Sequence, residues 1–178
     1  MRTVSLINGQ ILFIREAVRQ DATRLIQYLE KIPYDSEFLT FGPGELTLSV
    51  DEEEKMILES SEARNKITLV VEVENKIVGC LNFRGGPRPR NEHAGEFGVS
   101  VLKEYWGQGI GTALIKEMIE WAKTSRVVRK IDLLVRSDNG RAVHIYEKLG
   151  FMREGVIRRG VLISGQFYDY IHMGYLIN

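Results

Sequence analysis

Hydrophobic residues recur along the chain at two spacings, and the changes between these spacings mark the elements. Alternating or continuous apolar runs predict strands, whereas apolar positions three and four residues apart predict helices. In chain order the patterns predict a strand over 10–17, helices over 22–32 and 49–66, a hairpin over 66–83, a strand over 96–102, a helix over 110–122, a strand over 130–137, a helix over 138–150 and a hairpin over 155–177. No repeat or linker divides this series, so we predict one domain.

Local signals refine several of these elements. Asp21 stands where a side chain caps the helix over 22–32, and the stretch 32–45, rich in Pro and Gly, predicts an irregular loop. The hairpins are predicted to turn at 73–76 and near Ser164 and Gly165. In the strand over 96–102 the residues alternate between two faces, Phe97, Val99 and Val101 on one and Glu96, Gly98 and Ser100 on the other.

Composition narrows the classes of function. The 178 residues include 24 basic and 24 acidic side chains, which gives no general electrostatic reason to bind nucleic acid or an anionic membrane. No apolar run is long enough to span a bilayer, and the first residues do not read as a secretion signal. The single cysteine, Cys80, lies in an apolar run and predicts a buried thiol in a reducing compartment, so we expect a cytoplasmic protein.

Three glycines in five residues, Gly107, Gly109 and Gly111, precede the helix over 110–122. Such a turn presents unpaired N–H groups and the positive end of the helix dipole, which together bind anions. A phosphate-binding P-loop would require Lys after the last glycine, where this chain has Thr112. A dinucleotide fingerprint requires a different glycine spacing, so an NAD-binding module is also disfavoured.

Two segments around this turn carry a resemblance to a known family. The segment 99–111 reads "VSVLKEYWGQGIG" and the segment 139–151 reads "NGRAVHIYEKLGF". Together they resemble the two motifs of the GNAT superfamily of N-acetyltransferases, the first written V-x-V-x-x-x-x-Q/R-x-x-G-x-G/A. Trp106 departs from this pattern, because it occupies the Q/R position and offers neither a charge nor a bidentate hydrogen bond. Gln108, within the turn, is the candidate substitute.

The resemblance implies an α/β, layered (α+β) fold over 10–178, with residues 1–9 as a short extension. It implies a mixed, mostly antiparallel sheet of about seven strands flanked by about four helices. It also implies acetyl-CoA as co-substrate. The scattered histidines and the single cysteine do not have the spacing of zinc ligands, so we predict no metal. The positions that match the cofactor site are Val99, Ser100, Val101, Gln108, Gly109, Ile110, Gly111, Thr112, Asn139, Ala142 and Tyr146.

Direct transfer of an acetyl group to an amine needs a base and a proton donor. The resemblance implies Glu96 as the base that deprotonates the amine, and Tyr146 as the acid that protonates the leaving thiolate. Glu96 also reads as a solvent-exposed residue at a strand end, and Tyr146 as a packed core residue. His93, three residues before Glu96, is either a member of a proton relay or a surface histidine.

The sequence gives less information about the acceptor substrate than about the cofactor. Asp35 and Glu37 are candidate groups to attract a cationic amine, and His93 and Tyr168 are further candidates for substrate binding. We expect a small primary amine or an amino acid, with a protein N-terminus as the alternative. A non-catalytic acetyl-CoA sensor is the second class, and a homodimer is an expectation from the family.

Overall fold

The computed structural model describes residues 2–5 and 11–178. In this part of the chain the strands are β1 (Arg2–Ser5), β2 (Ile11–Glu16), β3 (Lys66–Val73), β4 (Lys76–Gly85), β5 (Ala94–Val101), β6 (Lys130–Arg136), β7 (Met152–Ile163) and β8 (Gln166–Leu176). The α-helices are α1 (Ala22–Asp35), α2 (Val50–Glu62), α3 (Ile110–Ser125) and α4 (Gly140–Lys148). Single 3₁₀ turns cover Arg19–Asp21 and Lys103–Tyr105.

The strands form one sheet in the order β1-β2-β3-β4-β5-β6-β8-β7. Every neighbouring pair is antiparallel except β5 and β6, so the mixed, mostly antiparallel sheet is confirmed. The described residues contain eight strands because β1, from within the expected extension 1–9, pairs with β2 and places Arg2 opposite Ile14. A strand of four residues is too short to show a period. Residues 1 and 6–10 of the expected extension and first strand lie outside the described part.

The helices cover both faces of the sheet, and the alternation in β5 shows which helix lies on which face. The Tyr28 hydroxyl of α1 lies 2.8 Å from Ser100 Oγ, and α2 contacts the same face where Ser60 meets Thr68. Phe97, with the opposite orientation in β5, contacts Tyr146 of α4 edge to face. A Cβ added at Gly79, opposite Val101, would lie 3.3 Å from Ile110 of α3. Glu96 and Ser100 therefore face α1 and α2, and Phe97 faces α3 and α4.

Both predicted hairpin turns are confirmed. Glu74 and Asn75 join β3 to β4 with φ of 48° and 65°, and Ser164 and Gly165 join β7 to β8 with φ of 49° and 82°. Positive φ at both central residues gives a turn whose twist matches that of the paired strands.

The structure corrects two expectations for α1. The helix continues through Pro33 to Asp35, so Asp35 belongs to the helix and not to the loop predicted over 32–45. The Asp21 side chain does not cap α1. Its carboxylate instead accepts hydrogen bonds from Arg15 and Arg24 and from the Val18 N–H. Sequence signals identified a polar residue at the right position, but ion pairs from β2 and α1 compete for its oxygens.

The helix over 49–66 is confirmed, but it ends earlier than expected. Ser49 caps α2 by accepting a hydrogen bond from the Glu52 N–H, and the Ser49 N–H in turn donates to the Glu52 carboxylate. The helix ends at Glu62, before Lys66 begins β3. Across the described residues, none of the helices has the length and apolar character needed to cross a membrane.

Candidate active site

Strands β5 and β6 pair over only part of their length. Ala94–Glu96 lies in register with Lys130–Asp132. Beyond this point β5 continues to Val101 and β6 to Arg136, but the two strands no longer pair with each other. A cavity of about 1000 Å³ occupies the gap. Its wall includes residues of both strands, the Gly107–Thr112 region, α4 and the segment after α1. The gap therefore gives access to the sheet interior from both faces.

The β5 main chain has an open hydrogen-bonding edge in this gap. The Leu102 N–H donates to Val78 and the Gly86 N–H to Ala94, so even-numbered residues of β5 bond to β4. The odd-numbered residues point the other way, as the His93 carbonyl shows by accepting from the N–H of Lys130. The N–H and C=O groups of Phe97 and Val99 thus face the gap, where an extended amide-bearing ligand can pair with them as an added strand.

The N-terminus of α3 faces the same cavity. Gly109 has a φ of 84° and precedes the helix without a side-chain cap, and the first helical hydrogen bond is donated by the Ala113 N–H. The N–H groups of Ile110, Gly111 and Thr112 have no helical acceptor, so they are available to an anion as the glycine spacing predicts. Gly109, Ile110, Gly111 and Thr112 all line the cavity.

Of the two side chains considered for the Q/R role, Trp106 lines the cavity and Gln108 does not. Trp106 lines the cavity, and its Nε1–H donates to the Val101 carbonyl at 2.6 Å. Gln108 is absent from the cavity wall, and its Oε1 is buried without a hydrogen-bond partner in the described part of the chain. Its side chain thus lies off the cavity wall, and its role as a substitute for Gln or Arg stays a prediction.

Tyr146 lies on α4 with its ring in an aromatic cluster. Its centroid is 6.0 Å from that of Phe97 and 5.9 Å from that of Phe151. Burial raises the pKa of Tyr146 to about 12, so the hydroxyl is protonated at neutral pH and lines the cavity as a donor. Asn139 caps α4 by accepting from the Ala142 N–H at 3.2 Å, and both residues also lie on the cavity wall.

Glu96 reaches the cavity from the opposite face of the sheet to Tyr146. It is exposed at the cavity wall, yet partial loss of water around its carboxylate raises its pKa. The negative charge of Asp132 raises the pKa further, while His172 lowers it. His172 Nε2 lies 2.9 Å from Asp132 Oδ1, so Glu96 stands beside a carboxylate–imidazole pair that the sequence did not reveal.

The sequence predicted no metal site, and this stays a prediction. The structure does gather Asp132, Glu154 and His172, whose potential ligand atoms lie within 4.8 Å of one another. The Lys130 ammonium lies 2.7 Å from Asp132 and 2.8 Å from Glu154. A cation of the chain itself therefore already pairs with both carboxylates and offsets one of their two negative charges.

The four predicted acceptor residues are not part of the cavity wall. Asp35 accepts a hydrogen bond from the Lys103 N–H at 2.9 Å, and the His93 side chain is exposed. Glu37 and Tyr168 instead contact Arg136, through the Glu37 carbonyl at 2.8 Å and the Tyr168 ring at 4.0 Å. Glu37 and Tyr168 thus reach the cavity only through Arg136, whereas Asp35 and His93 have no such link.

Sequence reasoning did not identify Arg141, Arg136 or Cys80 as residues of the wall. Arg141 lies beside the glycine turn, with its Nη2 4.0 Å from the position of a Cβ added at Gly107. Arg136 is buried at the end of β6, and the segment 36–41 supplies Ser36 and the residues from 38 to 41. Cys80 also lines the cavity, and burial raises its pKa to about 12, so its thiol is not a nucleophile at neutral pH.

Comparison with known proteins identifies the class. The model of the acetyltransferase (GNAT) family matches residues 31–151, which include the open strand, the glycine turn and α4. The chain therefore belongs to the GNAT family. A crystal structure of a GNAT-family acetyltransferase from Streptococcus pneumoniae has a TM-score of 0.91 and 36% identity, covering 93% of this chain and 99% of that one. The predicted GNAT-like fold is confirmed.

Individual relatives match over shorter lengths. An L-amino acid N-acetyltransferase of Escherichia coli is 34% identical over 59% of this chain and 65% of its own length. A spermidine N(1)-acetyltransferase of Escherichia coli is 36% identical over 44% of this chain and 42% of its own length. The chain thus spans less than two thirds of the length of these relatives. A Salmonella typhimurium structure with acetyl-CoA shares the fold, with a TM-score of 0.82 at 17% identity, covering 94% of each chain.

Proposed function

We propose that this chain is an N-acetyltransferase that moves the acetyl group of acetyl-CoA directly to a primary amine in the gap between β5 and β6. One observation carries the proposal. The open edge of β5, the uncapped N-terminus of α3 and the side chains of Glu96 and Tyr146 all meet in one cavity. These parts match the needs of an extended, anionic thioester and of an acyl transfer to an amine.

The cavity suits each part of acetyl-CoA. The amide groups of the pantetheine arm can pair with the free N–H and C=O of Val99. The pyrophosphate then reaches the N–H groups of Ile110, Gly111 and Thr112, and Arg141 adds a positive charge beside Gly107. These main-chain donors need no particular side chain, so the site tolerates Trp106 at the position where the family motif has Gln or Arg.

The chemistry follows from the positions of Glu96 and Tyr146 on opposite faces of the gap. Glu96 accepts a proton from the acceptor ammonium, and the freed nitrogen lone pair forms a bond to the thioester carbonyl carbon. An N–H of β5 stabilises the oxyanion of the tetrahedral intermediate. The carbon–sulfur bond then breaks, and the thiolate takes a proton from the Tyr146 hydroxyl. The attacking nitrogen loses its second proton, which restores the neutral Tyr146, and Glu96 releases its proton to water. Amide and free CoA leave, and no acyl-enzyme forms.

For the acceptor we favour a small primary amine or an amino acid. The support is the carboxylate of Glu96 at the cavity wall, since a cationic ammonium is attracted to it. Relatives that act on an L-amino acid and on spermidine agree with an amine acceptor. A protein N-terminus is the alternative acceptor, and a sensor that binds acetyl-CoA without turnover is the alternative function.

We also propose that the chain forms a homodimer and works in the cytoplasm without nucleic acid or membrane partners. Support for association is the outer strand β7, which exposes Met152, Val156 and Leu162 at the edge of the sheet. Support for a reducing compartment is the lone Cys80. The balance of 24 basic and 24 acidic residues disfavours a polyanion partner.

Release of CoA thiol from acetyl-CoA, measured against amines, amino acids and N-terminal peptides, tests the proposed function. Wild type should turn over at least one small amine, and Glu96→Gln and Tyr146→Phe should each lower kcat about 100-fold. Glu92→Gln and Tyr34→Phe are matched controls, because both side chains are exposed and lie off the cavity wall. Acetyl-CoA binding without turnover of any acceptor would favour the sensor and overturn the proposal.

A further inference from the structure

A charged side chain that no step of the proposed reaction uses is buried at the cavity. Arg136, the last residue of β6, is 3% exposed and lines the gap. Burying a guanidinium is unfavourable unless its N–H groups are bonded and its charge is balanced. The residues that contact Arg136 therefore indicate its role.

The contacts of Arg136 hold it in one orientation. Its Nε and Nη2 donate to the two carboxylate oxygens of Asp138 at 3.0 and 2.6 Å, a bidentate ion pair. Its Nη1 donates to the Glu37 carbonyl at 2.8 Å. The guanidinium also stacks between the rings of Phe38 and Tyr168, at 4.6 and 4.0 Å from their centroids.

These contacts join two parts of the cavity that are far apart in sequence. Glu37 and Phe38 belong to the segment 36–41, which follows α1 without regular structure and contributes most of its residues to the cavity wall. Tyr168 belongs to β8. Among the residues that the structure describes, a single hydrogen bond joins the sheet to this segment, the one that Arg136 donates to the Glu37 carbonyl.

Arg136 lies on the same side of the gap as Glu96. Residues alternate along β6, so Arg136 shares a face with Asp132, which pairs in register with Glu96. Tyr146 and the N-terminus of α3 lie on the other face. The segment that Arg136 holds therefore covers the side from which the amine reaches the base, and not the side assigned to the CoA pyrophosphate.

We propose that Arg136 is a positioning residue that fixes the segment 36–41 over the acceptor side of the gap and so determines acceptor binding without contributing to acetyl-CoA binding. This inference rests on the proposed function. Small displacements of a group that orients a substrate reduce the rate strongly, so the segment must be held in place for the acceptor to bind productively. Phe38 and Tyr168 act through their stacking on the guanidinium.

Arg136→Lys and Arg136→Met test this role with steady-state kinetics and calorimetry. Lys keeps the charge but cannot form the bidentate pair or the double stacking, so both variants should behave alike. We expect KM for the acceptor to rise about tenfold or more, with kcat and acetyl-CoA affinity nearly unchanged. Phe38→Leu should shift acceptor KM in the same direction. Arg153→Met, an exposed arginine on β7, is the matched control and should change nothing.

Hydrogen exchange of the segment 36–41 gives a readout that needs no turnover. In both Arg136 variants the amides of this segment should exchange faster, while those of α3 keep their protection. Unchanged exchange and unchanged acceptor KM would overturn the role of Arg136, even if wild type proves to be an efficient acetyltransferase. Faster exchange confined to 36–41 would support the anchor even if no amine acceptor is found, which separates its failure from that of the proposed function.

Discussion

The indole Nε1 of Trp106 donates a 2.6 Å hydrogen bond to the main-chain carbonyl of Val101. This bond satisfies the last carbonyl on the open edge of β5 and fixes the start of the glycine turn against the end of that strand. A residue that departs from the family motif thus supports the proposed cofactor site through the main chain.

Trp106→Phe should weaken acetyl-CoA binding. The substitution keeps an aromatic ring but removes the donor, and the loss of one hydrogen bond costs about 1 kcal/mol, or about fivefold in affinity. Isothermal calorimetry measures this change. Trp121→Phe is the matched control, because Trp121 packs against Phe83 away from the turn. Equal affinities for wild type and Trp106→Phe would show that the bond does not support the site.

Arg141→Met should raise KM for acetyl-CoA about tenfold, since one charge-assisted contact to a phosphate contributes about 1.4 kcal/mol. Saturating acetyl-CoA should restore kcat, because Arg141 lies at the glycine turn and not beside Glu96. Added salt should weaken the wild type more than the variant. Arg158→Met, an exposed arginine of β7, provides the control. A fall in kcat with unchanged KM would contradict the proposed phosphate contact.

The pH profile of kcat/KM should report the raised pKa of Glu96. Below that pKa the carboxyl is protonated and cannot accept a proton, so activity should fall with decreasing pH from a value above the ordinary glutamate pKa. Glu96→Gln should lose this acid limb.

Neighbouring charges provide the control for this limb. Asp132→Asn removes a cause of the raised pKa and should move the limb to lower pH, whereas His172→Gln removes the group that lowers the pKa and should move it to higher pH. Limbs that shift together in one direction, or do not shift, would assign the base to another group.

Asp21 should contribute strongly to stability. Its carboxylate is fully buried, and burial alone would raise its pKa, but hydrogen bonds from Arg15, Val18 and Arg24 hold it at about 2. Asp21→Asn removes one of the two carboxylates that Arg15 and Arg24 share and leaves them Glu72, so it should lower the free energy of unfolding by about 1.5–3 kcal/mol in urea titrations.

The sign of the pH dependence follows from the lowered pKa. Stability from Asp21 is complete above the ordinary aspartate pKa of 3.8 and is lost as pH falls towards about 2. The control is Asp51→Asn at the exposed start of α2. If Asp21→Asn destabilises no more than Asp51→Asn, the buried cluster of ion pairs is not a stabilising element.

The sequence was sufficient for the features that depend on local periodicity and turn chemistry. Alternation in 96–102 predicted that Glu96 and Phe97 face opposite sides, and the glycines predicted the uncapped start of α3. Arg136 could not be predicted, because an arginine at a strand end is normally exposed. Its burial depends on Asp138, two residues further along the chain, and on Phe38 and Tyr168, which only the tertiary fold brings to it.

The gap in the sheet was also beyond local signals. Its size depends on where pairing between β5 and β6 stops, at Glu96 and Asp132, and no residue pattern in either strand marks that point. The extension of α1 through Pro33 is a similar case. Proline disfavours the helix locally, and packing of the buried Ile32 accompanies its continuation to Asp35.

Single-turnover reaction with radiolabelled acetyl-CoA tests most directly whether the gap transfers acetyl to an amine. Enzyme in excess over labelled acetyl-CoA is mixed with a small primary amine and quenched over time, and label is measured on the amine and on the protein. We predict that label passes to the amine in one step, with none retained on the protein, and that Tyr146→Phe slows this step. Label that accumulates on the protein, or that stays on acetyl-CoA while the enzyme binds it, would contradict direct transfer.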